Sequence, residues 1–460
     1  KSVNLLSLSA GFNVTLFDAL VDGAVQSDFL GNATSGLIRV SSGETVDPQT
    51  GFSTFDPFNV QIFGNVVATG GIDVLAGGDV RIEDSATLSS GNHINLTSGD
   101  DVIIAGGALL EAALDPVPDF GYGSSDPASD PANLTIIAGG LSLNSPLAAG
   151  NISSAIIEGS LYSANASVVI RGDAVQALVG SIDTPSLFVD IPEVPTDGVV
   201  PSDDGGQLTA DCVEGNICLA SVTAFDQVQI GQQGAPNQLI IANGDIDAVD
   251  VAITTQRSLI LGSLEGDTRY NGSSSVFLQS LEGDIELRGG AAVSSATLQL
   301  FADSGSLLGT GNLSSTGDVG ISVADSIYAG SIVAGSRLMR AEDIDSDASG
   351  DIILPGSFVV SLLSLGFGDA NIDVGRDVLL GTVILSDADI QLTAGGDAQL
   401  LATDGVGAIG IDAANITIGA IDAGGAIDLN ALGGISGGSA SAGGDISASA
   451  SDVSADAFDA

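Results

Sequence analysis

Short strips in which apolar and polar residues alternate recur along the chain, and they constrain its fold more than any other feature. Within residues 77–107, three strips follow one another at Val80/Ile82, Ile94/Leu96 and Val102/Ile104. A period of two residues turns one row of side chains inward and the next row outward, as in a β-strand with one buried face. No sustained period of 3.6 residues, which would indicate a helix, accompanies it. The sequence therefore predicts an all-β protein.

Many strips begin at glycine followed by aspartate or asparagine, which indicates a tight corner before each strand. Such blocks stand at GDIEL (283–287), GDVGI (317–321) and GDAQL (396–400). Gly78 and Gly99 are 21 residues apart, an interval that suits one turn of a parallel β-helix. A β-sandwich core would need aromatic residues, and these make up only 4% of the chain. We therefore expect stacked coils in which like side chains form ladders.

Stretches rich in proline interrupt the repeat at 43–58, 111–132 and 184–218, where most of the 13 prolines lie. Proline has no N–H for a β-ladder, so these stretches are predicted to leave the stack as loop insertions. The predicted organisation is an N-terminal β segment at 1–58 with the loop 43–58, a β-helix at 59–183 with the insertion 111–132, a loop insertion at 184–222 that holds both cysteines, a second β-helix at 223–446, and a polar tail at 447–460.

The charge of the chain limits its partners. In 460 residues, 58 acidic residues stand against 10 basic ones, which gives a formal charge of −48. Nucleic acid is not expected as a partner, because phosphate contacts need clustered lysine and arginine. Mutual repulsion at this charge keeps molecules dispersed and suits a secreted or surface-exposed protein. No run of about 18 apolar residues is present, so no membrane insertion is expected.

The repeats resemble those of a known family. GGDVRI, GNHINLTSGDDVIIAGG and TGDVGISVADSIYAGSIVAG are similar to the repeats of filamentous haemagglutinin-like adhesins, and the resemblance covers most of residues 59–182 and 223–446. It implies a right-handed parallel β-helix in a large, secreted bacterial surface protein that acts in cell adhesion. The Asn-Pro-Asn motifs of the family's secretion domain do not occur in this sequence, so the resemblance points to the repetitive shaft.

These observations predict a non-enzymatic, extracellular shaft of a bacterial surface adhesin or fibre, whose partner is a protein or glycan receptor. One alternative is a filament subunit that associates end to end with further copies. The other is a β-helical glycan-active enzyme, with the single histidine, His93, and Asp100 and Asp101 as its catalytic set. Since general acid–base chemistry is poorly supplied by one histidine, we expect these three to be solvent-facing ladder residues instead.

Three further candidate sites remain open. Cys212 and Cys218 lie six residues apart in DCVEGNIC, where a local disulfide is favoured over two free thiols and would suit an oxidising compartment. Arg171-Gly172-Asp173 matches an adhesive tripeptide that integrins bind, although Gly-Asp is also the ordinary corner of the repeat. No cofactor is expected, but the acidic stretch 202–216 could bind Ca²⁺ incidentally through its carboxylates.

Overall fold

The protein is described by a computed structural model that covers residues 5–21, 36–46, 53–112, 134–139, 154–163, 167–172, 174–190, 216–231, 239–242, 244–262, 267–339, 352–366, 369–386 and 388–460. These residues form β-strands stacked in parallel as a β-solenoid, which confirms the predicted fold class. They contain no helix, and therefore no helix that is long and apolar enough to cross a membrane. The chain divides into two compact units, Lys1–Ala248 and Val249–Ala460.

The first unit is built mostly from short strands, with the long strands β19 and β20 near its end, and most of its strands pair in parallel with strands one coil away. They are β1 (Leu5–Ala10), β2 (Val14–Leu16), β3 (Ala19–Val21), β4 (Leu37–Ser42), β5 (Glu44–Val46), β6 (Ser53–Phe55), β7 (Val60–Ile62), β8 (Asn65–Ala68), β9 (Ile72–Ala76), β10 (Val80–Ile82), β11 (Thr87–Ser90), β12 (Ile94–Ser98), β13 (Val102–Ile104), β14 (Leu109–Ala112), β15 (Leu134–Ile137), β16 (Ser154–Ile157), β17 (Ser160–Ser163), β18 (Val168–Arg171), β19 (Ala174–Asp190), β20 (Asn216–Ile230) and β21 (Leu239–Ala242). Strand β22 (Ile246–Thr255) spans the boundary.

The second unit has longer strands, several of which continue across a corner of the coil. They are β23 (Ser258–Leu261), β24 (Arg269–Ser280), β25 (Ile285–Leu287), β26 (Ala292–Ala302), β27 (Leu307–Gly309), β28 (Asn312–Ser315), β29 (Val319–Val323), β30 (Ile327–Ala334), β31 (Leu338–Met339), β32 (Ile352–Leu354), β33 (Phe358–Leu365), β34 (Ala370–Val374), β35 (Val378–Leu385), β36 (Ile390–Ala394), β37 (Asp397–Asp404), β38 (Ile409–Ala413), β39 (Asn415–Ala423), β40 (Ile427–Ala431), β41 (Gly434–Ala442), β42 (Ile446–Ser449) and β43 (Asp452–Asp459). One face is a six-stranded sheet in the order β32-β34-β36-β38-β40-β42.

Like apolar residues stack in the interior, as the repeat predicts. Ile390, Ile409, Ile427 and Ile446 are successive register partners along the six-stranded sheet. The first three are at most 1% exposed, and burial along β36 and β40 alternates strictly between inward and outward residues. Burial of apolar surface is the main favourable term in folding, and here each coil contributes its share by stacking on its neighbour.

The stack resumes in register after a long insertion. Strand β12 pairs directly with β15, so that Ile94 lies beside Leu134, although the stretch 113–133 separates β14 from β15 and lies outside the described residues. Another loop returns as an antiparallel hairpin of β5 and β6, within the loop predicted at 43–58. On the far side of both interruptions, the strands thus pair with the same residues facing inward.

Two predicted boundaries are wrong. The predicted loop insertion 184–222 is strand at both ends, because β19 continues to Asp190 and β20 begins at Asn216, and the two strands pair in parallel. The predicted polar tail 447–460 is the last coil of the second unit, since β43 pairs in register with β41. Its serines, alanines and aspartates are poor in apolar surface, but backbone pairing with the preceding coil does not depend on side-chain hydropathy.

The corners hold the coils together through side chains that accept a backbone N–H of the following coil. In the second unit, this corner ladder joins Asp284, Ser306, Ser326, Ser357, Asp377 and Asp397, with N–O distances of 2.7 to 3.4 Å. In the first unit, an equivalent ladder joins Asn13, Asn59, Asp79, Asp101 and Ser154. The aspartate of the Gly-Asp corner thus pairs a backbone donor that the turn would otherwise leave without a strand partner.

Asp284 offers a test of the corner ladder. Its Oδ1 accepts the Ser306 N–H at 2.7 Å, and Asp284→Ala should lower the free energy of unfolding by about 1 kcal/mol, the usual net value of such a bond. Asp284→Asn keeps an acceptor and should lose less. Urea denaturation and hydrogen exchange at the Ser306 amide would measure both. Asp412→Ala, at an exposed outward position of β38, is the matched control and should change little; equal effects at both positions would contradict the ladder.

Candidate functional site

His93 lies at a corner of the first unit and is buried. Its exposed fraction is 9%, so the prediction that it faces solvent is wrong. Its ring packs on the backbone of Gly71, where a Cβ atom would come within 2.1 Å of the imidazole. Glycine one coil earlier therefore leaves the space that the ring fills, and any larger residue at position 71 would displace it.

The ring of His93 contacts two side chains on opposite sides. Nδ1 lies 3.1 Å from Asn92 Oδ1, and Nε2 lies 3.2 Å from Asp73 Oδ1. Asp73 stands on β9, one coil before His93, and its Oδ1 also accepts a hydrogen bond from Asn95 Nδ2 at 2.9 Å. The structure thus brings His93 to Asp73, and not to Asp100 or Asp101 as the hypothetical catalytic set required.

The environment of Asp73 shifts its acidity. Burial acts to raise the pKa of Asp73, but the hydrogen bond and charge of His93, the hydrogen bond of Asn95 and the charge of Arg39 outweigh it, so the pKa falls below its ordinary value of 3.8. The carboxylate is therefore ionised at neutral pH. Aligning GGIDVL (70–75) with NHINLT (92–97), 22 residues further on, places Gly71 opposite His93 and Asp73 opposite Asn95 and so shows this pairing in the sequence.

A pH dependence of stability follows from this shift. Because the pKa of Asp73 is lower in the folded than in the unfolded chain, its contribution is present above pH 3.8 and is lost as the pH falls through the folded value. Asp73→Asn should destabilise the first unit at pH 7, and the difference from wild type should shrink as the pH drops below 3.8. Urea midpoints measured across this range test it, with Asp412→Asn as the control. A difference that stays constant down to acid pH would contradict the role given to Asp73.

Asp100 and Asp101 join a different group of side chains. With Asp79 they form a half-buried acidic cluster, in which one carboxylate oxygen of each residue lies within 4.8 Å of the other two. Carboxylate oxygens are ligands that Ca²⁺ accepts, but two of these aspartates already serve the corner ladder. Asp79 accepts from Asn59 Nδ2 and from the Asp101 N–H, and Asp101 accepts from the Ser154 N–H. The cluster is thus explained as part of a corner. Of the stretch 202–216, the predicted Ca²⁺-binding region, residues 202–215 lie outside the described residues.

A shallow polar groove runs over the outer face of β4, β9, β12 and β15. Its volume is about 350 Å³. It is lined by Arg39, Asp73, Leu75, Asn95, Thr97, Thr135 and Ile137. The strips predicted outward-facing polar residues on these strands, but not that Arg39 from one coil and Thr135 from a coil beyond the insertion would line one groove.

The remaining candidate residues lie in or next to strands. Arg171 ends β18, is half-buried, and pairs in register with Ile137, whereas Asp173 lies outside the described residues. The adhesive tripeptide remains a prediction. Cys218 is 1% exposed within β20, and Cys212 lies outside the described residues. The disulfide between them likewise remains a prediction.

Comparison with known proteins adds no relative: no protein-family model, curated protein or solved structure matches the chain. What the structure itself defines is the class. The described residues belong to a β-solenoid whose corners are joined by side-chain ladders and whose first unit carries a polar groove.

Proposed function

We propose that the chain is a non-enzymatic structural element, the shaft of an extracellular adhesin or fibre at a bacterial surface. The main support for the proposal is the corner ladder. In it, polar side chains accept hydrogen bonds from the backbone of the following coil and so hold the stack together. The repeats that resemble those of filamentous haemagglutinin-like adhesins support the same function, and so does a formal charge of −48, which opposes lateral clumping.

The location is the most direct test of this proposal. Antibodies raised against the chain should label intact cells of the organism that produces it. Pre-treating the cells with a protease should remove the label from the surface without lysing them. Labelling that requires permeabilised cells would overturn an extracellular role. A screen on neutral and acidic polysaccharides tests the enzymatic alternative, and we expect no cleavage; cleavage lost in His93→Ala but kept in Asp412→Ala would establish that alternative.

A filament subunit that associates end to end is the second candidate, and β43 is the strand that such a contact would use. Val453 and Phe458 of β43 are 43% and 40% exposed, whereas their register partners on β41, Ile435 and Ala440, are each 1% exposed. Among the described residues, β43 pairs on one edge only, with β41. A further coil can stack on such an edge, whether it belongs to a continuation of the same chain or to a second copy.

Electron microscopy of the purified chain distinguishes the two candidates. Filaments with a regular axial repeat, lost when Val453→Asp places a charge at the open edge, would establish end-to-end assembly. Separate particles at every concentration would exclude it. Val383→Asp, which charges a fully buried position inside the second unit, is the control for simple misfolding and should lose folded structure by circular dichroism.

A further inference from the structure

We propose that the groove over β4, β9, β12 and β15 is a binding site for a neutral, hydroxyl-rich ligand, namely a linear glycan without acidic groups. The inference rests on the proposed function, because it names the class of receptor that the shaft would contact.

Register places the groove residues in rows across the strands. Arg39, Asp73, Asn95 and Thr135 are successive partners on β4, β9, β12 and β15. A second row, two residues further along the strands, contains Leu75, Thr97 and Ile137. Neighbouring strands of a sheet are about 4.8 Å apart, so Arg39, Asp73 and Asn95 present one polar group per step to a ligand lying across the strands, whereas Thr135 is buried at 6% exposure. The aliphatic side chains of the second row offer apolar surface beside it.

The polar groups of the first row are held in place before any ligand arrives. Arg39 donates to Glu44 Oε1 at 2.9 Å, and Glu44 also accepts from Ser53 Oγ across the β5–β6 hairpin. Asp73 is fixed by His93 and Asn95, at 3.2 and 2.9 Å. Side chains that are already ordered lose little conformational entropy on binding, so these contacts prepare the groove for a ligand.

The chemistry of the groove selects a neutral ligand. A guanidinium, an amide and the hydroxyl group of Thr97 can donate, while a carboxylate and the same hydroxyl group can accept. This mixture matches sugar hydroxyl groups, each of which donates and accepts. An anionic ligand is disfavoured because the guanidinium of Arg39 is already paired with Glu44 in a chain with a formal charge of −48. A cation would find only the carboxylate of Asp73, which His93 and Asn95 occupy.

Calorimetric titration of the full chain tests the site directly. The probes are neutral hexasaccharides of glucose, mannose, xylose and N-acetylglucosamine, with a heparin-derived hexasaccharide as the anionic comparison. We expect at least one neutral probe to bind and the heparin fragment not to bind. Arg39→Ala removes donors and should weaken the Kd of the bound probe by about threefold to tenfold, the value of one hydrogen bond. Thr97→Trp fills the groove and should abolish binding.

The controls separate a lost site from a lost fold. Thr417→Trp places the same side chain at an exposed outward position on β39 and should bind as wild type, and all variants should keep the circular dichroism and melting temperature of the parent. Binding that survives Thr97→Trp, binding of the heparin fragment alone, or no binding by any neutral probe would overturn the proposal. Failure to label intact cells, with probe binding intact, would contradict the extracellular function and leave the groove supported.

Discussion

Replacing Tyr270 with alanine should destabilise the second unit by about 3–5 kcal/mol, the usual cost of emptying a buried aromatic site. Tyr270 lies on β24 and is fully buried, and its hydroxyl oxygen accepts the Gly262 N–H at 2.6 Å. The side chain therefore fills the interior and also satisfies a backbone donor at a corner, where Gly262 has a positive φ of 103°.

The phenylalanine variant separates these two contributions. Tyr270→Phe keeps the ring but leaves the Gly262 N–H without this acceptor, at a cost of about 1–3 kcal/mol. Urea denaturation would measure both losses, and hydrogen exchange at Gly262 would show where the coil opens, since solenoids can lose coils locally. Tyr328→Phe, at a half-buried position on β30, is the control and should change little. Equal stability of the Tyr270 and Tyr328 variants would refute the assignment.

Replacing Gly437 with alanine should cost at least about 1–3 kcal/mol, the range for a residue held in a sparsely populated backbone conformation. Gly437 has a φ of 137°, and a Cβ atom there would lie 1.8 Å from the carbonyl oxygen of Ile418 in the coil below. Both the conformation and the close approach of two coils require glycine. An alanine at position 437 would therefore require the coils of β39 and β41 to move apart.

Gly434 is the matched control, because it lies on the same strand, β41. A Cβ atom at Gly434 meets only the Asp452 carbonyl oxygen at 3.7 Å, an ordinary contact. Gly434→Ala should therefore be neutral or stabilise the unit by about 0.4–1 kcal/mol through the unfolded chain. Thermal melting and urea midpoints of the two variants give the comparison. If Gly437→Ala were as stable as Gly434→Ala, the strain at position 437 would not exist.

Much of the fold can be predicted from local sequence because its signal is local. The alternation in IDVLA (72–76) and INLTS (94–98) identifies strands and the residues that face inward, and both strands are found with that burial. The Gly-Asp blocks identify corners. Such patterns do not show where an insertion begins and ends. They therefore place the stretches 184–190 and 447–460 outside the stack, although both pair within it.

The candidate site was less predictable, since its residues come together only through stacking. His93 stands just before β12, in a corner, where the alternation of a strand no longer fixes the direction of a side chain. Its burial depends on Gly71, one coil earlier, and its partner is Asp73. Arg39 reaches the same groove from a strand that is separated from β9 by the β5–β6 hairpin.

By itself, the sequence determined the all-β class, the inward rows of Val, Ile and Leu, and the corners, because each of these depends on residues within a few positions of one another. Only the tertiary structure decided which coil lies on which, and therefore which backbone N–H donates to the aspartate of each corner. The strip at 77–107 illustrates both. Its strands were predictable, whereas the burial of His93 against Gly71 and the hydrogen bond that Asp101 accepts from the Ser154 N–H required the neighbouring coils.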